Sequence, residues 1–242
     1  MRKGKVVLII QARMGATRLP GKSMMLLAGK PLIEQIFLRV KRTKKADVIV
    51  LATTEQQQDD PLCEVAKRYG IEVLRGSEND LVDRYYQAAM KYNADFIVRL
   101  PADNPVVEPR EIDKIIEHYL NSDDDFSANT HNILGNEYPD GLGAEIFSIQ
   151  KLREIWETTT DPRNREHPHT YFYEHPEKYK IGTVKCPREF RRPDLVLDVN
   201  TQQEFDFLAE LYGYPFPRNP NFHITEIIQW YDSIYQPNRR RH

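Results

Sequence analysis

The sequence predicts an α/β chain built on a mostly parallel sheet with helices on both faces. Three observations carry that expectation. Short apolar runs alternate four times with amphipathic stretches of helical period between Val6 and Leu120, as strands joined by crossover helices do. The first run, Val6 to Ile10, is apolar without a break, which suits a strand buried on both faces. A basic loop follows it directly, at the strand end where open parallel sheets bind ligands.

That loop lies within VVLIIQARMGATRLPGK, residues 6–22, and carries Arg13, Arg18 and Lys22 among Gly15, Pro20 and Gly21. Cations gathered at a strand exit suit a polyphosphate; the alternative is that they are solvated loop charges. A P-loop is excluded, because the first glycine required by G-x-x-x-x-G-K-[ST] falls on Ala16. A dinucleotide-binding G-x-G-x-x-G is also missing. A phosphate grip here therefore comes mainly from side chains.

With 242 residues the chain is long enough for one large α/β domain. Lys plus Arg total 34 and Asp plus Glu 36, a formal net charge of -2, so no global basic excess points to nucleic acid. Cys63 and Cys186 lie far apart and form no C-x-x-C pair, which fits free thiols in a reducing compartment. Met1-Arg2-Lys3-Gly4-Lys5 precedes an apolar run of five residues, shorter than a signal core or a membrane span. The expectation is a cytoplasmic chain without a membrane partner.

Taken in order, Pro31 to Arg42 has the apolar spacing of one helical face, and Lys41, Arg42, Lys44 and Lys45 at its end suit the helix dipole. Val48 to Ala52 is a second strand ending in Thr53-Thr54, and Asp60-Pro61 opens a helix that stops at Gly70. Ile71 to Leu74 is a third strand. Ser77, with Asp80 three residues on, is expected to cap the helix carrying Leu81, Val82, Tyr85 and Ala89. Arg75 and Ser77 stand at this strand's exit, where they line a nucleotide pocket or serve only the turn.

Phe96 to Leu100 is the next strand, and its exit reads Pro101-Ala102-Asp103-Asn104-Pro105. A carboxylate held between prolines is placed either to hold a hard divalent ion with substrate phosphates or to make an Asx turn. The helix from Arg110 to Leu120 leads to Asp123-Asp124-Asp125, at the entry end of a strand over Phe126 to Asn129. That end is remote from a ligand crevice, so the triplet is expected to be a solvated turn.

Beyond it the alternation breaks down. Tyr138 to Phe147 reads as turn residues feeding a short strand, and Ile149 to Glu157 as a helix. Asp161 to His169 is dense in charge and imidazole, though Pro168 between His167 and His169 and the lack of a third donor argue against zinc. Tyr179 to Cys186 and Asp194 to Asn200 are strand-like, with Thr201 a cap for a helix over Glu204 to Tyr212. Asp198 lies among apolar residues, where a carboxylate needs a metal or cation. A last amphipathic helix, Ile224 to Tyr235, runs into the basic end Arg239-Arg240-Arg241-His242.

The run I-I-Q-A-R-M-G-A-T-R-L-P-G-K resembles the opening motif of the CMP-sugar synthetases, the acylneuraminate and 3-deoxy-manno-octulosonate cytidylyltransferases. It is most similar to the spore coat polysaccharide biosynthesis branch. R-L-P-A-D-N-P, Y-P-D-G-L-G-A-E-I-F, R-E-H-P-H-T-Y-F-Y and L-V-L-D-V-N-T-Q-Q-E-F continue the likeness in order over most of the chain. The resemblance implies a Rossmann-like nucleotidyltransferase fold in a single domain. Residues of roughly 130–190 would form a small antiparallel extension for acceptor binding and homodimerisation.

It further implies CTP as substrate and magnesium as cofactor. Gln11, Ala12, Arg13, Gly15, Arg18 and Lys22, with Arg75 and Ser77, would contact the nucleotide, and Asp103 and Asp198 would hold the metal. Arg13, Lys22 and Asp103 would be catalytic, and Glu145, Arg165, Glu166 and His167 would face the acceptor. Pro101-Ala102 stands where the family more often has a small residue and a glycine, and sugar-contacting signatures of the sialic acid enzymes are missing, so the acceptor stays open. The chemistry these residues support is transfer of CMP to a small acidic or sugar-acid acceptor with release of pyrophosphate, in cell-surface polysaccharide synthesis. Two rivals stand beside it: a glycosyltransferase using a nucleotide sugar, and an inactive CTP-binding protein.

Overall fold

Strand β1 (Val6–Gln11) lies inside the sheet with a strand on either side, and its alternating side chains divide the interior in two. Val6, Leu8 and Ile10 join one core cluster, whereas Val7 and Ile9 join another on the opposite face. The computed structural model describes residues 3–130 and 133–236; the basic end expected at 239–242 lies outside the described residues.

A short hairpin follows, β2 (Leu26–Leu27) against β3 (Lys30–Pro31). It turns through Ala28 and Gly29 at positive φ of 49° and 78°, the twist a two-residue hairpin needs. Then come α1 (Leu32–Val40), β4 (Val48–Thr54), α2 (Asp60–Arg68), β5 (Glu72–Gly76), α3 (Leu81–Lys91), β6 (Phe96–Pro101), α4 (Pro109–Asn121) and β7 (Phe126–Ala128). The second half adds β8 (Glu145–Ser148), α5 (Ile149–Thr158), α6 (Pro162–Glu166), α7 (Pro168–Glu174), β9 (Ile181–Gly182), α8 (Gln202–Gly213) and α9 (Ile224–Trp230), which passes into a π-turn over Tyr231–Tyr235.

The sheet runs β5-β4-β1-β6-β8-β7-β9. Its first four strands are parallel, and β8 lies antiparallel to both β6 and β7. The expected antiparallel extension is thus formed around β8, beside a mostly parallel sheet. No helix among the described residues is long and apolar enough to cross a membrane.

Several local expectations need correction. Asp80 rather than Ser77 caps α3, accepting from Asp83 N at 2.8 Å, while the Ser77 hydroxyl accepts from Asp80 N. The strand-like stretch Tyr179 to Cys186 pairs only at Ile181–Gly182; beyond it the Cys186 amide turns to Asn136 O, which takes the chain off the ladder. Asp194 to Asn200 is no strand. Leu195, Leu197 and Val199 are buried, but the backbone bonds go to loops, from Asp140 N to Leu195 O and from Val199 N to Asp103 O. Gly141, at φ 84°, makes this crossing possible: a Cβ there would lie 2.9 Å from the Leu197 carbonyl oxygen. Within the aspartate triplet, Asp124 is buried and accepts from the Ser127 hydroxyl at 2.8 Å. It ties down the entry of β7 instead of facing solvent.

Candidate active site

From β1 the chain crosses to β4 on one side, and from β5 it crosses back to β6 on the other. The carboxyl ends of β1 and β6 therefore flank a crevice at the topological switch point. The Ala102 amide donates to Gln11 O at 2.9 Å, which holds the two strand exits side by side. Between them opens a cleft of about 530 Å³, of small-ligand size. Gln11, Ala12, Arg13, Arg18, Lys22 and Asp103 all contribute to its wall.

The basic loop is tied at both ends. Gly21 N donates to Met14 O at 2.9 Å, and Met14 N donates to Asp59 Oδ1 at 2.7 Å. Asp59 is fully buried, and its other oxygen accepts from Thr53 Oγ1, Thr54 N and Thr54 Oγ1. Sequence reasoning missed Asp59, although Thr53-Thr54 at a strand exit with an aspartate shortly after was a readable signal. Gly21, at φ 72°, starts the tight turn Lys22–Met24 that carries the lysine.

Lys22 Nζ donates to Val199 O at 2.5 Å and stands 3.4 Å from Asp103 Oδ2 and 3.5 Å from Asn200 Oδ1. Arg18 donates to the same Asn200 oxygen at 2.8 Å, and Asn200 Nδ2 donates in turn to Asp198 Oδ2. One polar chain thus links Arg18, Lys22, Asp103 and Asp198 through Asn200, a residue that sequence reasoning did not select. Burial pushes the Asp198 carboxyl up to about 6, and the neighbouring carboxylates of Asp140, Asp103 and Glu204 add to the rise.

On the opposite wall, Arg13 donates to Glu78 O at 3.3 Å and approaches Glu166 Oε1 at 3.5 Å, while Gln11 Oε1 accepts from the Tyr85 hydroxyl. Glu166 and His167, at the end of α6, reach the cleft wall as well. Burial holds the His167 imidazole below its usual value.

Other expected contacts are placed elsewhere. Arg75 donates to Thr54 O and Gln56 O and pairs with Asp60, away from the cleft wall, and Ser77 serves the Asp80 amide. Gly15 packs towards Gln58 and Glu78. Glu145 is the register partner of Arg99 and accepts both of its carboxylate contacts from Arg99 NH1 at 2.9 Å, deep in the sheet. Arg165 donates to Asp80 Oδ2 at 3.0 Å and to Trp156 O at 2.8 Å, bracing α6 against the start of α3. Glu145 and Arg165, which the resemblance expects to face the acceptor, are engaged in these internal ties.

A cytidylyltransferase family model matches residues 7–222. The chain is 34% identical over 228 residues to an uncharacterised protein of Methanocaldococcus jannaschii, covering 94% of this chain and 90% of that one. It is 30% identical over 230 residues to the spore coat polysaccharide biosynthesis protein SpsF of Bacillus subtilis, covering 92% of each. Among solved structures, a cytidylyltransferase from Leptospira borgpetersenii superposes with a TM-score of 0.87 at 31% identity, over 97% of this chain and 95% of that one. A conserved-length match of this kind, on a cleft that presents cations and carboxylates together, leaves one conclusion: the chain belongs to the cytidylyltransferase family and is a CTP-dependent nucleotidyltransferase.

Proposed function

We propose that the enzyme transfers CMP from CTP to a small acidic or sugar-acid acceptor, releasing pyrophosphate, in the synthesis of a cell-surface polysaccharide. One observation carries the reading: Arg18, Lys22, Asp103 and Asn200 converge at the exits of β1 and β6, where the protein can grip phosphates and a carboxylate-bound cation together. The acceptor's oxygen attacks the α-phosphorus, and the bond to the pyrophosphate breaks. Arg13, Arg18 and Lys22 bind the triphosphate and hold the charge that grows on the leaving group. Alignment and charge neutralisation supply most of the rate in phosphoryl chemistry, so no covalent protein intermediate is needed. Glu166 and His167, on the far wall, are the acceptor-side contacts.

Magnesium belongs to the same proposal. The carboxylates of Asp103 and Asp198 form a partly buried, negatively crowded pair, a donor set that suits a hard divalent ion. Among the described residues no group of three or more ligands is placed to hold a metal alone, which fits an ion completed by substrate phosphates and water. When bound, the ion would neutralise phosphate charge and polarise the reacting phosphoryl group. A homodimer and a cytoplasmic location complete the proposal; the latter is supported by Cys63 and Cys186, buried as free thiols.

The glycosyltransferase reading needs an aspartate pair at a strand exit, whereas Asp124 is buried at the entry of β7. The test is incubation with CTP, magnesium and pooled sugar acids, and in parallel with nucleotide sugars in place of CTP, with products weighed and pyrophosphate assayed. CMP adducts with matching pyrophosphate are expected. A nucleoside diphosphate released from a sugar nucleotide would establish the rival, and CTP binding without any adduct would mark a dead site.

A further inference from the structure

The five histidines among the described residues are of two kinds. His118, His175 and His223 each set a ring nitrogen against a carboxylate, 2.9 Å from Asp124, 3.5 Å from Glu177 and 3.0 Å from Glu108. His167 and His169 make no such pair. His169 is packed inward with its Nδ1 buried and unpartnered. His167 alone of the five lines the cleft, and neither of its ring nitrogens is taken up by a hydrogen bond among the described residues.

The main chain of His167 is fixed on both sides. Its amide donates to Arg163 O at 2.8 Å, its carbonyl accepts from Thr170 N at 2.9 Å and from Thr170 Oγ1 at 2.7 Å, and Pro168 starts α7 directly after it. The His169 ring meets the His167 ring edge-on, with centroids 5.8 Å apart. The imidazole is thus held at the cleft with its nitrogens to spare. Glu166 and Arg163 of α6, Arg99 of β6 and Glu145 of β8 lie around it, two charges of each sign, and His169 of α7 is itself neutral near pH 7. Burial outweighs these opposed charges, so the His167 ring is uncharged at neutral pH.

We propose that His167 is the general base of the transfer, taking the proton from an acceptor hydroxyl as that oxygen attacks the α-phosphorus of CTP. The inference rests on the CTP reading given above. A bond forms between the acceptor oxygen and the α-phosphorus, the bond from that phosphorus to the oxygen bridging to the β-phosphate breaks, and its electron pair leaves with pyrophosphate. The imidazolium then gives its proton to water. A base works best with a pKa near the operating pH, which an imidazole has and a carboxylate lacks. Glu166 beside it is also engaged, since its Oε1 lies 3.5 Å from Arg13. The assignment narrows the acceptor: a carboxylate nucleophile would arrive ionised, with no proton to give, so the attacking group is a hydroxyl and the product a phosphodiester.

The test uses the full chain with CTP, magnesium and the sugar acids that the pooled incubation shows to be consumed, over a range of pH. For the wild type, kcat/KM should fall as the pH drops below the pKa of the free imidazole. His167→Gln should lower kcat by at least about 10²-fold and abolish that acid limb, with CTP affinity by calorimetry and the melting temperature unchanged. His167→Ala, which also serves should the glutamine variant not fold, should regain rate with added imidazole in proportion to its neutral form. A variant that keeps kcat and only raises the acceptor KM would overturn the inference, leaving His167 a contact. Slow variants that keep the acid limb and ignore imidazole would overturn it as well, and so would an adduct cleaved by neutral hydroxylamine, the mark of an acyl phosphate. A wild-type chain that forms no CMP adduct would sink the transfer reading itself, whereas an active wild type with undiminished variants would sink only the base.

Discussion

The parallel half of the sheet and its antiparallel extension use charge in opposite ways. Around β1 and β6, charged side chains stand at strand exits, and their mutual contacts are long: Lys22 to Asp103 is 3.4 Å and Arg13 to Glu166 is 3.5 Å. Around β8 and α6 they satisfy one another inside the fold, as Glu145 does with Arg99 and Arg165 with Asp80. Loosely paired ions beside a cleft can trade partners for a substrate. Ions locked across a ladder or between two helices hold the scaffold instead.

The largest effect should come from the first group. Lys22→Ala or Asp103→Ala should lower turnover by about 10²–10³-fold, the usual loss when one group stabilising developing charge is removed. The melting temperature should move by no more than a few degrees, and wild-type rates in either variant would erase the distinction. The second group should answer through stability. Glu145→Ala strands the Arg99 charge in the sheet, at an expected cost of about 3–5 kcal/mol in chemical denaturation. A loss below about 1 kcal/mol would show that the pair behaves as a surface contact.

Asp59 joins both behaviours, because it is internal yet holds the basic loop after β1 through Met14 N. Asp59→Ala should cost about 2 kcal/mol and also weaken CTP binding, whereas Lys22→Ala should cost binding and rate with little stability. The smallest effect concerns pH. Burial pulls the His169 imidazole down to about 4. The unfolded chain therefore gains a proton as the pH drops below 6.5, while the folded chain resists until about 4, so stability is lost across that window. His169→Asn should flatten the fall in the denaturation midpoint between pH 6.5 and 4, and an unaltered slope would refute the assignment.

Much of the parallel half could be read from sequence because there position and chemistry coincide. Val6 to Ile10 is apolar on both faces, and the cations after it are at a strand exit by chain order alone. Asn200 escaped notice because nothing local marks it: it meets Arg18, Lys22 and Asp198 only because the fold brings them together. Asp194 to Asn200 has alternating apolar residues, yet its backbone partners are loops, and side-chain pattern does not encode which carbonyl an amide will meet. Glu145 followed the same logic. Its motif was legible, but its cross-strand partner Arg99 depended on the antiparallel register of β8 against β6.

Arg18 and Asn200 are bonded to each other across 182 positions of sequence. Such a site cannot be ripened piecemeal. A nascent chain still lacking the stretch after α7 would display the amino-terminal cations with no carboxamide or carbonyl to set them, and a fragment cut before Val199 would lack the same partners. The cleft as described is therefore complete only when both ends of the chain are in place.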